Sequence, residues 1–238
     1  MIKVQGKSIT GSRLFNQDNM YFNHIITNDY HEESYSGDLV CFAVADGVGG
    51  ASYGDKASLS ALQALDEWQS SLNITDEDIC NVIIKAFDGF NNKVIELSDE
   101  IYAETGTTLT LLVFYKDSFY LANVGDSPAF RVRDKNIIPI YERQGENNML
   151  HAYLGNRNES GSSMVSITKG SCQDGDLFFI CTDGVVNALK EKQLNRLLRK
   201  KNINIEKIIN KVKKNIPQDN CSGILFTIVD ERSHNVDL

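Results

Sequence analysis

The hydrophobic pattern along the chain has two kinds of segment, sorted into runs. Short stretches rich in β-branched and aromatic residues predict strands near 3–9, 20–23 and 39–45, then a meander over 107–115, 118–124, 129–133 and 137–140. Further strands are predicted at 164–168, 176–182 and 223–229. Two helical blocks interrupt them. Leu62, Leu65 and Trp68 recur with Ala61 and Ala64 over 53–70, and Ile79, Ile83, Phe87, Phe90, Val94 and Leu97 keep a spacing of three or four over 76–97, with Thr75 as the predicted cap. The second block covers 191–200 and 205–216, where Ile205, Ile208, Ile209 and Val212 share a face and Pro217 is the stop. Strands in runs and helices in blocks imply segregated layers rather than βαβ alternation. The expected fold is therefore α+β, an antiparallel sandwich with helices outside, in a single domain over 1–238.

Composition supports one good-sized core: 238 residues, 42% hydrophobic, 24% charged and only 3 Pro exclude a disordered chain or a disulfide-stapled miniprotein. No apolar run approaches the ~20 residues of a spanning helix, and MIKVQGKSIT has no apolar signal core. The expectation is an unexported, cytoplasmic protein with no membrane span. Cys41, Cys80, Cys172, Cys181 and Cys221 form no C-x-x-C pair and read as buried thiols of a reducing compartment. A net charge of -8 opposes nucleic-acid binding, which needs cationic surface. One block runs against the acid excess, with Lys190, Lys192, Arg196, Arg199, Lys200, Lys201, Lys207, Lys211, Lys213 and Lys214 close together. A solvated helix face is the simpler reading, a docking patch for an acidic partner the other.

The acids carry the chemical signal. Apolar strands run into aspartate in CFAVADGVGG (Asp46), YLANVGDS (Asp126) and FFICTDG (Asp183), and Asp219 opens the last strand in QDNCSGILFTI. RLFNQDN adds Asp18 beside Arg13. Each alone is an ordinary turn residue. Gathered at one edge of a sandwich, they would repel and raise one another's pKa unless cations neutralised them. An all-oxygen set suits Mg²⁺ or Mn²⁺ better than Zn²⁺. Gly47 would let the backbone approach such an ion.

GSRLFNQD, VADGVGG, GTTLTLLVF, NVGDS, ICTDGV and QDN, in this order from Gly11 to Asn220, resemble the PP2C (PPM) family of metal-dependent protein serine/threonine phosphatases in its compact bacterial form. The resemblance implies an α-β-β-α sandwich with a dinuclear Mn²⁺ or Mg²⁺ centre. In it Asp46 would bridge both ions, the Gly47 carbonyl would bind one, and Asp183 and Asp219 the other. Asp18 would hold a water beside the metals, and Asp126 with Asp183 would support a third, weaker site. Arg13 would grip the substrate phosphate through a planar fork that Lys cannot reproduce. The implied reaction is direct in-line attack of a metal-activated water on phosphoserine or phosphothreonine, and the implied partners are phosphoproteins made by a Ser/Thr kinase.

Departures from the family pattern are specific. Gln17 stands where many members have Glu, Val48 where eukaryotic members carry His, and Pro128 where Arg is usual. The stretch YERQGENN is short where relatives carry a mobile flap, so the flap reads as trimmed and the groove as open. Of the four histidines only His151 falls near the expected groove. Two other readings are a catalytically silent pseudophosphatase that binds phosphoproteins, and a small-molecule phosphoesterase. The complete acid set with Arg13 favours the enzyme, and nothing in the sequence selects a small substrate.

Overall fold

A strand with both faces covered shows no polar alternation, and LVCFAVAD at 39–46 is such a strand. In the computed structural model, which describes residues 1–48, 53–72, 78–146 and 149–230, the chain runs β1 (Ile2–Ile9), β2 (Asp18–Phe22), β3 (Ile25–Thr27), β4 (His31–Tyr35), β5 (Leu39–Asp46), α1 (Gly54–Ser71) and α2 (Ile79–Glu100). The meander follows as β6 (Leu109–Tyr115), β7 (Ser118–Val124), β8 (Ala129–Arg133) and β9 (Asn136–Pro139), then a hairpin of β10 (Gly145–Glu146) and β11 (Met149–Leu150). The last part is α3 (Gly161–Met164), β12 (Ser166–Ser171), β13 (Leu177–Cys181), α4 (Asp183–Ala188), α5 (Glu191–Leu198), α6 (Ile205–Lys213) and β14 (Cys221–Ile228). Two six-stranded antiparallel sheets result, ordered β4-β1-β14-β13-β8-β9 and β12-β7-β6-β5-β2-β3.

The period of two sorts side chains between layers. On β5, Val40, Phe42 and Val44 join Met20, Phe22, Leu112, Phe114, Phe178, Ile224 and Phe226 between the sheets, while Cys41, Ala43 and Ala45 meet Ala57, Ala61 and Leu65 of α1. Small residues on both sides let α1 lie close to the sheet. Outside the other sheet, Phe179, Cys181 and Leu225 pack under Ile205, Ile208, Ile209 and Val212 of α6. This is the expected helix, sheet, sheet, helix order. Phe42 sits at the centre, 4.9 Å from the Phe226 ring and 5.2 Å from that of Tyr35, in edge-to-face contacts.

Where structure and pattern differ, local chemistry gives the reason. The strand predicted at 164–168 begins at Ser166, because Ser160 caps α3 by accepting from the Ser163 amide. The expected cap Thr75 lies outside the described residues; Asp78 accepts from the Cys80 amide at the start of α2. The helix predicted over 205–216 ends at Lys213, since proline disfavours the right-handed region for its predecessor Ile216, which stands at φ 51°. All five cysteines are free. Among the described residues no helix is long and apolar enough to cross a membrane.

Phe42→Ala should cost about 3–5 kcal/mol of stability, because the rings around it cannot collapse into the space. Denaturant unfolding checks this; a loss below ~1 kcal/mol would contradict the packing described.

Candidate active site

Antiparallel order brings alternating strand ends to one edge, and the acids stand at those ends. Asp18 at the start of β2 is paired in register with Asp46 at the end of β5. Residues two and four along each strand, Met20 with Phe22 and Val44 with Phe42, face the inter-sheet core, so both carboxylates also point between the sheets. Asp183 follows β13 as the first residue of α4, Asp219 precedes β14, and Asp126 lies in the turn after β7. Asp46, Asp126, Asp183, Asp219 and Arg13 line one cleft of about 460 Å³ with Val48, Thr108, Leu150, Tyr153 and Asn187.

The backbone at the end of β5 is pinned. The Asp46 amide donates to Thr108 Oγ1 at 3.1 Å, its carbonyl accepts from the Thr107 hydroxyl and the Thr108 amide at 2.9 Å each, and the Gly47 amide donates to the Gln17 carbonyl at 3.2 Å. A Cβ on Gly47 would stand 2.2 Å from the Gly54 carbonyl oxygen. Glycine is therefore required there by the approach of α1, a packing reason that the sequence did not disclose. On the other wall, Gly11 at φ 66° lets the loop after β1 lie against Asp219, where a Cβ would come within 2.1 Å of its carbonyl oxygen. Asn220 ties that loop down, accepting from the Gln17 amide and donating to the Thr10 and Phe15 carbonyls.

Asp18 is fully buried. Its Oδ2 accepts from the hydroxyls of Thr182 at 2.9 Å and Ser222 at 2.7 Å, and Ser222 Oγ lies 2.7 Å from Ser8 Oγ. Its Oδ1 has no hydrogen-bond partner. Burial lifts this carboxyl to about 7 against the pull of the two hydroxyls, with the charges of Asp183 and Asp219 adding to the rise. Asp46 is held well above the usual carboxylate range, first by burial and then by Asp18, Asp183, Asp219 and Asp126. Burial, then Asp126 and Asp219, raise Asp183, whose Oδ2 accepts from Asn187 Nδ2 at 3.0 Å. Asp126 is raised by burial and eased by Arg143. Asp18, Asp46 and Asp183 are raised first by burial and then by neighbouring carboxylates, so this end of the sandwich stores repulsion. Arg13 supplies one counter-charge, donating from Nη2 to Asp219 Oδ2 at 2.8 Å. Among the described residues no group of three His, Cys, Asp or Glu stands in ligating geometry.

With this geometry, comparison with known proteins is decisive at the family level. The model of the family described as protein phosphatase 2C matches residues 5–216. The chain belongs to that family. A serine/threonine phosphatase stp of Listeria monocytogenes serovar 1/2a is 28% identical over 193 residues, covering 69% of this chain and 73% of the relative. The fold matches Stp1 of Staphylococcus aureus with a TM-score of 0.81 at 20% identity, over 97% of this chain and 96% of that one. It also matches the catalytic domain of the phosphatase PstP in complex with two manganese ions, TM-score 0.76 at 19% identity, over 97% and 100%.

Within this family member, all seven residues singled out from sequence fall at the same end of the sandwich, around the cleft or directly beneath it. Sequence reasoning missed the props: Ser8, Thr182 and Ser222 under Asp18, Asn187 on Asp183, and Thr108 behind Asp46. Thr182 and Ser222 were accessible in principle, since each continues the inward-facing positions of its strand past Ile180 and Ile224. The YERQGENN stretch is less bare than expected. Gln144 accepts from the Gly125 amide at 2.8 Å and donates to the Met164 carbonyl at 2.6 Å, bracing the turn that carries Asp126, and Leu150 and Tyr153 beyond it form a wall of the cleft. Val48 lines the cleft, whereas the exposed His151 does not.

Asp46→Asn keeps the shape and removes one of the mutually repelling charges. In EDTA it should unfold at a higher denaturant concentration than wild type. A variant less stable than wild type in EDTA would show that the cluster is not strained by charge.

Proposed function

We propose that this chain is a Mn²⁺- or Mg²⁺-dependent phosphatase of phosphoserine and phosphothreonine in proteins, acting in the cytoplasm as one catalytic domain on the products of a Ser/Thr kinase. The observation that carries the reading is the buried Asp18 Oδ1 left without a partner beside four clustered carboxylates. An acceptor with nothing to accept from, in an all-oxygen site, fits hard divalent cations and the waters they carry. Asp46 and the Gly47 carbonyl would hold one ion, Asp46, Asp183 and Asp219 the other, and Asp126 with Asp183 a third and weaker one. When bound, the cations supply Lewis-acid activation of water and neutralise charge on the phosphoryl oxygens.

The chain's own residues do the rest. Thr182 and Ser222 fix one oxygen of Asp18, which leaves the other open to accept from a water carried by the cations. Arg13 is partly exposed and its pairing with Asp219 is a surface contact, so the guanidinium is free to leave a carboxylate claimed by a cation and grip a phosphate with two parallel donors. Among the described residues no cysteine, serine or histidine lines the cleft, in keeping with direct attack by water. Val48 offers no proton, so the leaving oxygen takes its proton from solvent within the site rather than from a histidine.

Phosphate release from a phosphothreonine peptide with Mn²⁺, and its loss in EDTA, tests the reading; a Mn²⁺-loaded protein inert on peptides and aryl phosphates alike would overturn it. Asp46→Asn should lower kcat by ~10³ or more. Arg13→Ala should cut kcat/KM by ~10 to 10³ while Mn²⁺ affinity by calorimetry stays near wild type, and a large loss of metal binding would refute that division of roles.

A further inference from the structure

The loop that carries Arg13 displays two apolar side chains to solvent. Leu14 is 91% exposed and Phe15 77%, and among the large apolar residues described only Tyr102 exceeds them. Ile216, 71% exposed, stands beside the same loop: the Ser12 amide and hydroxyl both donate to the Pro217 carbonyl at 3.0 Å, and Asn220 Nδ2 donates to the Phe15 carbonyl. Three exposed apolar residues on two bonded segments, next in the chain to the cleft residue Arg13, form a surface that water disfavours. The hydrogen bonds hold the backbone of that surface in place, so it is a fixed feature and not a frayed end. Next to it, exposed Lys213 and Lys214 close α6, and neither takes part in an ion pair among the described residues. They belong to the basic block that stands out in an acidic chain.

We infer that this rim is a substrate-docking surface for phosphoprotein segments that carry an apolar side chain next to the phosphoresidue and carboxylates a few residues beyond; the inference rests on the proposed phosphatase activity. Distance sets which residues are read. Consecutive residues are 3.8 Å apart at Cα, so Leu14 and Phe15 stand within about 4–8 Å of Arg13. A chain whose phosphate reaches the Arg13 guanidinium has this apolar loop within reach of the residues beside its phosphate. Charge then sets direction. Exposed Lys213 and Lys214 attract an acidic flank, so the acidic end of the segment runs toward the end of α6.

The test uses the Mn²⁺-loaded full chain and three phosphothreonine peptides: one with Leu beside the phosphoresidue and two Asp beyond, one with that Leu replaced by Ser, and one with the Asp pair replaced by Lys. Wild type should favour the first by about tenfold in kcat/KM over the second, the discrimination an apolar contact gives. Leu14→Ser with Phe15→Ser should erase that preference, and Lys213→Glu with Lys214→Glu should erase the preference over the third peptide. Hydrolysis of 4-nitrophenyl phosphate should be unchanged in every variant, which also shows that they fold. Equal turnover of the first two peptides by wild type, or a preference that survives the double serine variant, would overturn the inference. So would sedimentation with phosphatidylglycerol vesicles that depends on Leu14 and Phe15 in a protein without peptide preference, since the rim would then be a membrane anchor. If no phosphate ester is hydrolysed, the catalytic reading fails by itself, and fluorescence anisotropy of the first two peptides still decides whether the rim binds the apolar flank.

Discussion

Two carboxylates placed opposite each other across neighbouring antiparallel strands are the constraint around which this molecule is arranged. Asp18 and Asp46 occupy paired register positions at the inner face of a covered sheet, where directly opposed side chains lie about 5 Å apart and like charges destabilise. A fold built only for stability would place an apolar or hydrogen-bonding pair there. Instead one member is given two hydroxyl donors on one oxygen and nothing on the other, and the second member is surrounded by three further acids. The repulsion is tolerated because the rest of the sandwich is well packed, with Phe22, Phe42, Phe114, Phe178 and Phe226 filling the space between the sheets immediately behind the site.

That packing also sets the precision of the acidic end. The covered faces of β5 leave Asp46 no freedom in its backbone, and α1 comes so close that residue 47 has to be glycine. The hydrophobic layers thus act on the chemistry through backbone position. Asp183 is placed differently, as the first residue of a short helix whose amide dipoles favour a negative charge, which offsets part of what its neighbours impose. The carboxylates therefore differ in cause: register for Asp18 and Asp46, a helix start for Asp183, a braced turn for Asp126.

Much of this was legible in the chain, for a physical reason. Strands β5, β6, β7 and β13 are covered on both faces and read as apolar runs, and α6 shows its buried stripe at the helical period, so Ile205, Ile208, Ile209 and Val212 could be named as a face. The acids were legible because a charge at the end of an apolar run is conspicuous. What stayed hidden depends on contacts between distant segments. The strand HEESY at 31–35 has no apolar alternation, since it is an edge strand held by pairing with β1. Helix α4 is too short for its period to show, and Asp183 read as a turn residue. The bond from Arg13 to Asp219 and the Ser8, Ser222, Asp18 column join residues some two hundred positions apart, for which local pattern carries no information.

The sign of the cleft decides more than the reaction. A phosphate monoester carries close to two negative charges at neutral pH, and the floor it must reach is lined by Asp46, Asp126, Asp183 and Asp219. Arg13 alone does not balance that, particularly while it is paired with Asp219. Without bound cations the cleft excludes its own substrate, so metal dependence extends to binding and not only to the chemical step. With cations bound, the charge of the floor is spent on them and on the phosphate, so a protein substrate gains little further by lying along the floor. Its remaining contacts have to come from the rim, where the surface changes from carboxylate to apolar and then to lysine within the span of two bonded segments.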